Sequence, residues 1–235
     1  MKKNVGISYK AFAVVLAAVL ILGGAIGGTM AWLIDDTEAV ANVFTDSDIE
    51  ITLNENKGTL NDSNEHEFKM IPGHTVEKDP RVTVKAGSED CWLFVEVKES
   101  TDPELSKYIK YSVNTTTSVS NVDGVNHGGW KQGTGTDGIP TNVYYQKVTN
   151  VTADQEFAVL GGGTHRFEDD IYTWNSDEVL TLPEVTKAEM NAIKDKNKPT
   201  LTFTAYAVQL YKTNETEFTA NQAWARAQGI ANNSN

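Results

Sequence analysis

The chain is poor in cysteine, proline and basic residues. Of its 235 residues, one is cysteine and six are proline, and 20 lysines and arginines stand against 32 acidic residues, a net charge of -12. The single cysteine, Cys91, excludes an intrachain disulfide and a cysteine-based zinc or iron–sulfur site. Because no basic cluster offsets the acidity, nucleic acid is a poor candidate partner. Hydrophobic residues make up 40% of the chain, which is enough for a packed core.

The N-terminal stretch has the layout of an export signal. Three lysines precede the uncharged run 11–34, and acidic residues follow at once. A positive start, an apolar centre and small residues at the end are typical of a secretory signal peptide. Thr29 and Ala31 form a small-x-small cleavage site, which predicts a signal peptide over residues 1–31 and a mature chain that begins at Trp32. An uncleaved membrane anchor is the alternative, because an uncharged run of 24 residues can span a bilayer.

Cleavage would make the mature chain more acidic and place it outside the cell. The leader contains three lysines and no acidic residue, so the net charge falls from -12 to -15. An exported chain with one cysteine fits a bacterial cell exterior, because eukaryotic secreted domains rely more often on disulfides. We expect signal peptidase to act during export and the membrane to be contacted only through the leader. Like-charged subunits repel, so any polymer should depend on salt, divalent ions or low pH.

Alternating apolar and polar residues dominate the mature chain. Ile49, Ile51 and Leu53 predict a strand with one buried face, and the segment 91–98 predicts another, with Cys91 on its apolar face. Further runs are rich in β-branched and aromatic residues, at 108–113, 142–151, 156–160 and 200–211. This pattern, with no internal repeat or linker, predicts an antiparallel β-sandwich that forms a single domain over residues 32–235.

Two short helices are predicted from their N-terminal caps. Two sequences match the capping box, in which a hydroxyl residue is followed three places later by glutamate or glutamine: Thr186 with Glu189, and Thr219 with Gln222. They predict helices over 187–196 and 220–228. Each is brief beside the strands, so the fold class remains all-β.

Two connecting segments carry specific predictions. The segment 86–90 lies between an alternating pattern at 81–85 and the strand pattern at 91–98, and it predicts a hairpin turn. The segment 121–138 contains six glycines, which predict a long, mobile surface loop. Trp130 within it has two interpretations, stacking on a sugar or anchoring the loop on the sandwich.

Several segments, in their order along the chain, resemble one family of exported proteins. The leader end Gly-Gly-Thr-Met-Ala-Trp runs into Asn-Val-Phe-Thr and an alternating strand, and Ile-Pro-Gly-His precedes Glu-Lys-Asp. Two further segments are similar to the closing strand and the terminal helix of that family, at 201–209 and 218–224. Together they resemble the TasA/camelysin (CalY)-like family, whose members have a SipW-type signal peptide and include a biofilm fibre protein. The resemblance covers both ends and part of the middle of the chain.

The resemblance implies a jelly-roll sandwich, export, and a structural role at the cell surface or in an extracellular matrix. In TasA-like fibres the mature N-terminal segment completes the sheet of the next subunit. A candidate donor segment is present here in the apolar residues Trp32, Leu33, Ile34, Val40, Val43 and Phe44. A strand donated in this way would satisfy the unpaired backbone groups of a sheet edge. The alternative is that this segment pairs within its own domain.

Some relatives in this family are labelled metallo-endopeptidases, and such enzymes bind zinc. A zinc site is therefore the enzymatic feature to look for in this sequence. His66-Glu67 is the nearest match to the His-Glu-x-x-His motif, but Met70 stands where the second histidine is required. The other histidines are isolated in sequence, and we interpret them as solvated loop residues: His74, His127 and His165. Cys91 is interpreted as a buried structural thiol. We therefore predict no catalytic residue, metal or cofactor.

The sequence thus favours an exported, non-enzymatic surface or matrix protein that assembles with itself or with a related subunit. A secreted camelysin-like metallo-endopeptidase and a monomeric surface module that binds a ligand are the alternatives.

Overall fold

Strands account for most of the regular structure. The computed structural model describes residues 48–55, 57, 59–60, 66–194, 198–213 and 216–233. Within these residues the strands are β1 (Ile51–Asn54), β2 (Thr59–Leu60), β3 (His66–Glu67), β4 (Thr75–Glu77), β5 (Arg81–Val84), β6 (Cys91–Glu99), β7 (Ile109–Lys110), β8 (Ser112–Val113), β9 (Ser120–Val122), β10 (Val125–His127), β11 (Lys131–Gln132), β12 (Val143–Val148), β13 (Gln155–Ala158), β14 (Leu160–Gly161), β15 (Gly163–Phe167), β16 (Asp170–Trp174), β17 (Glu178–Thr181), β18 (Leu201–Gln209), β19 (Tyr211–Thr213) and β20 (Thr216–Glu217).

Two α-helices and one short 3-10 helix accompany the strands: α1 (Lys187–Lys194), α2 (Ala220–Asn233) and Leu105–Lys107. The predicted capping box is confirmed at α1 and only half formed at α2, where Thr219 N donates to Gln222 Oε1 at 3.2 Å but Gln222 N donates to Asn221 Oδ1. Thr186 N donates to a Glu189 carboxylate oxygen at 2.8 Å, and Glu189 N donates back to the Thr186 hydroxyl at 3.2 Å. Helix α2 starts at the predicted residue and runs five residues past the predicted end. No helix in the described part of the chain is long and apolar enough to cross a membrane.

The strands form two principal sheets and several small ones. One principal sheet has the order β1-β5-β13-β10-β9, and the other has the order β11-β12-β6-β18. This confirms the predicted all-β sandwich with two short helices. The pairs are antiparallel except for β10 with β13, which run parallel, so the expectation of a purely antiparallel sheet was wrong at that pair. The longest small sheet has the order β4-β17-β7.

Strand β6 is buried on both faces and lies at the centre of the fold. Its alternate residues from Cys91 to Val97 face the core between the sheets, where Val82 and Val84 of β5 also lie. On its other face Phe94 packs against Trp224 of α2, with ring centres 5.3 Å apart. Because burial of apolar area is the main stabilising contribution, β6 joins two hydrophobic clusters into one stable unit.

The segment 86–90 is a crossing between sheets, so the predicted hairpin was wrong. Strand β5 is flanked by β1 and β13, while β6 is flanked by β12 and β18. Both edges of each strand are therefore already paired, and the two strands cannot pair with each other. The connection is held instead by Gly87 N, which donates to Val151 O at 2.8 Å.

The glycine-rich segment is ordered by packing, which corrects the prediction of a mobile loop. It contains β10 and β11, and five of its six glycines adopt positive φ angles. Gly128 has a φ of +99°, and a Cβ there would lie 2.5 Å from Ser118 O, so only glycine fits. Trp130 is 1% exposed, and its indole N–H donates to Ala158 O at 2.8 Å. Trp130 therefore anchors the segment and is not available to stack on a sugar.

Cys91 provides a test of the packing around β6. The side chain is fully buried, and burial raises the pKa of its thiol to about 12. We expect a thiol reagent at pH 8 to leave Cys91 unmodified in the folded protein and to label it completely in denaturant, because the thiolate is the reactive form. Cys91→Ser is the control that should give no label in either state. Rapid labelling of the folded protein would contradict the described burial.

Candidate functional site

The two principal sheets meet at one side of the sandwich, where β1 and β18 are the outermost strands. Each has one partner strand among the described residues: β5 for β1, and β6 for β18. Cα atoms of β1 and β18 approach within 8 Å. We call this side the β1/β18 edge and define it by the apolar residues Ile49, Ile51, Leu53, Leu201, Phe203, Ala205 and Ala207.

The hydrogen bonds of β18 show which of its backbone groups point outward. Ser100 N donates to Thr200 O at 2.9 Å, and Leu210 N donates to Asp90 O at 2.8 Å. In an antiparallel pair, residues that bond to the partner alternate with residues that face away. With Thr204 opposite Glu96, the even-numbered residues of β18 therefore bond to β6. The odd-numbered residues, from Leu201 to Gln209, direct their N–H and C=O groups away from β6.

Strand β1 repeats this arrangement on the other sheet. Lys85 N donates to Glu50 O at 2.9 Å, and Thr52 stands opposite Thr83. By the same alternation, the even-numbered residues of β1 bond to β5 and the odd-numbered residues face outward. Both strands of the edge thus present outward backbone groups at alternate positions.

The side chains at those positions are apolar and half-buried. Ile51 of β1 and Phe203 and Ala205 of β18 pack against the main core, yet each remains partly open to solvent. The residues with outward backbone groups are thus the ones whose side chains border the core. An added strand would find both hydrogen-bond partners and apolar surface here, the combination used in β-strand addition. An edge left without such a partner is a site for association.

The residues predicted for cleavage and donation lie outside the described residues. These are Thr29, Ala31 and Trp32 for cleavage, and Trp32, Leu33, Ile34, Val40, Val43 and Phe44 for donation. Their roles remain predictions. The residue pattern predicts β1 and β18 as strands but does not predict their shared edge. The even spacing of apolar residues in both strands was the available signal, but it does not reveal which strands become neighbours.

The histidines do not form a metal centre in the described part of the chain. His66 lies in a two-residue strand, where the helical spacing of a His-Glu-x-x-His site does not arise. No group of three or more potential metal-ligating side chains occurs among the described residues. His165 lies in β15, 16% exposed, with Nε2 3.1 Å from a Glu184 carboxylate oxygen, and His127 lies in β10. For these two the prediction of solvated loop histidines was wrong.

A polar cleft of about 780 Å³ lies apart from the β1/β18 residues. It is lined in part by Arg81, His127 and Asp177. Arg81 contacts Glu156 at 3.1 Å and Asp177 at 3.4 Å, and burial raises the pKa of Asp177 against the opposing effect of the Arg81 charge. The cleft has no aromatic platform. Within it the buried atoms Arg81 Nε and Asp177 Oδ1 have no hydrogen-bond partner among the described residues, but one donor and one acceptor do not identify a particular ligand.

No protein-family model, no curated protein and no solved structure matches this chain.

Two proline substitutions test the backbone orientation of β18. Proline lacks an N–H and is tolerated in a strand where that N–H faces away from the sheet. We expect Ala205→Pro, at an outward position, to lower the free energy of unfolding by about 1 kcal/mol or less. Thr204→Pro, at a bonded position, should lower it by about 2 kcal/mol or more, because it loses a hydrogen bond and leaves the Glu96 carbonyl without its donor. Urea unfolding followed by fluorescence measures both. Equal losses for the two neighbours would contradict the assigned pairing.

Proposed function

We propose that this chain is an exported structural protein of the cell surface or extracellular matrix, and that it assembles by strand donation. The mature N-terminal segment of one subunit would bind the β1/β18 edge of the next copy, or of a related subunit. The observation that supports this most directly is the β18 edge, where outward backbone groups and half-buried apolar side chains occur at the same alternate positions.

The composition of the proposed donor segment supports this pairing. Trp32, Ile34, Val40 and Phe44 share one parity and would project from one side of an extended strand. The segment 32–44 has 13 residues, and β18 has nine, so the segment is long enough to pair along the whole edge. Strands pair through backbone groups, while the apolar side chains would cover Phe203 and its neighbours.

The net negative charge of the chain also favours association through one specific edge over non-specific association between copies. With a mature net charge of -15, two copies repel at long range, and non-specific contact is disfavoured. A donated strand overcomes this repulsion through a row of backbone hydrogen bonds and buried apolar area, both of which act at short range. The proposed polymer should therefore contain one kind of contact, in which each subunit donates one strand and accepts one strand.

The protein is proposed to be non-enzymatic. No observation on the described residues favours the metallo-endopeptidase alternative or supplies a ligand for a monomeric binding module. Zinc content measured together with casein digestion separates the first from the proposal, and electron microscopy of secreted material separates the second.

Deletion of Trp32 to Ala41 tests strand donation. We expect the truncated protein to fold and remain monomeric, because the domain core lies in later residues while the donor is lost. The unmodified extracellular chain, which should start at Trp32 by N-terminal sequencing, should form fibres. Electron microscopy and light scattering at matched concentration and ionic strength measure the difference.

Ala205→Pro is the matched variant at the acceptor. It retains the donor but lacks one outward N–H, so it should fold and fail to extend a fibre. Mixed with the truncated protein it should still form no fibre, because the truncated chain lacks a donor and the variant lacks an acceptor. Fibres formed by the truncated protein alone would exclude the proposed mechanism, and a folded monomeric state of the full mature chain would favour pairing within one domain.

A further inference from the structure

One ion pair differs from the others in its burial. A Glu55 carboxylate oxygen lies 2.8 Å from Lys78 Nζ, and the two side chains are only 13% and 11% exposed. In every other lysine–carboxylate pair found between described residues, the lysine side chain is at least 36% exposed. A surface pair keeps most of its hydration, whereas a buried pair loses it at a cost of several kcal/mol per ion.

Aromatic rings cover the Lys78 amine. Its Nζ lies 4.6 Å from the ring centre of Phe68 and 5.4 Å from that of Phe203. The other Glu55 carboxylate oxygen accepts the Asp79 backbone N–H at 2.8 Å. The amine and the carboxyl group are thus held in contact, and the Glu55 carboxyl is fixed in orientation.

A second carboxyl group lies at the same place. Asp79 is 4% exposed, and its carboxyl makes a side-chain hydrogen bond with that of Glu55. Burial first, and this hydrogen bond second, raise the pKa of Glu55 above its ordinary value, although Lys78 opposes the rise. Two carboxyls in contact favour the sharing of a proton. The site therefore combines an amine, a carboxyl that tends toward its neutral form, and a second carboxyl beside it.

We propose that Lys78 and Glu55 become joined by an intramolecular amide bond, with Asp79 as the proton-transfer residue. A proton passes from the Lys78 ammonium to the pair of carboxyls, which leaves a neutral amine and a neutral Glu55 acid. The amine nitrogen attacks Glu55 Cδ. The nitrogen of the tetrahedral intermediate then gives a proton to the Asp79 carboxylate, and Asp79 passes that proton to the hydroxyl, which leaves as water. One ammonium and one carboxylate yield one amide and one water, so no oxidant or co-reactant is required.

Two physical effects favour the bond. Fixed contact between amine and carboxyl replaces a bimolecular encounter, for which well-oriented groups reach very high effective concentrations. The product also removes two buried charges and leaves a neutral amide, which relieves the desolvation penalty of the ion pair.

The bond would lie where a fibre is pulled. Glu55 directly follows β1, and Lys78 directly follows β4. If the proposed function holds, tension on the donated segment passes first into β1, a short strand paired only with β5 among the described residues. An amide at Glu55 would prevent the chain beyond β1 from being drawn out. This mechanical role rests on the proposed function, whereas the bond itself does not.

Mass spectrometry of the denatured extracellular chain tests the bond. We expect an intact mass lower than that of the sequence from its determined N-terminus by one water, about 18 Da. Tryptic digestion should give a branched peptide that joins Glu55 to Lys78, with cleavage after Lys78 lost. This measurement is made on the unmodified protein and does not depend on how a variant folds. An intact mass equal to that of the sequence would overturn the proposal.

Variants separate this bond from other losses of water. Lys78→Met should restore the full mass, whereas Lys85→Met, which alters an exposed pair, should retain the loss. Asp79→Asn should slow bond formation by about 100-fold or more, the usual contribution of a proton-transfer group. A loss of water that persists in Lys78→Met would point to succinimide at an Asp-Gly sequence, such as Asp123-Gly124, and would overturn the proposal.

Fibres without the mass change would contradict only the bond, and the mass change without fibres would contradict only strand donation.

Discussion

The need of backbone N–H and C=O groups for hydrogen-bond partners governs the arrangement of this protein. Strand β6 has a partner strand on each side and is buried on both faces, so it forms the centre of the core. Among the described residues, strands β1 and β18 have a partner strand on one side only, although their side chains border the same core. A polar backbone group next to buried apolar surface is costly without a partner. Another strand at the β1/β18 edge would therefore gain backbone hydrogen bonds and buried apolar area at the same positions.

The acidity of the chain and its β1/β18 edge act in opposite directions. Repulsion between copies suppresses indiscriminate contact, while an unpaired edge promotes strand addition. A protein with both properties stays apart from its copies until a segment of matching pattern reaches the edge. The Glu55–Lys78 site lies close to this edge, because Phe203 contributes to both. Strength under tension and the capacity to assemble would thus be built from neighbouring residues.

Local patterns predicted those elements that depend on nearby residues. The strand 201–209, the alternating face of β1 and the first residue of each helix follow from side-chain spacing and backbone donors within a few residues. The hairpin at 86–90 was predicted wrongly because sheet membership depends on distant partners of β5 and β6. The segment 121–138 was predicted to be mobile because glycine count does not reveal that Trp130 is buried. The β1/β18 edge and the Glu55–Lys78 pair join residues far apart in sequence, so local spacing did not show that these residues would be neighbours.

The central claim is that the outward backbone groups of β18 receive a strand from another subunit. Residue-resolved hydrogen exchange on the assembled extracellular protein and on the monomer lacking residues 32–41 measures this directly. The account predicts strong added protection in the assembly at Phe203, Ala205 and Ala207, whose N–H groups face outward. The amides of Thr204 and Tyr206, bonded to β6, should be protected in both states. Equal exchange of the odd-numbered amides in assembly and monomer would contradict the account.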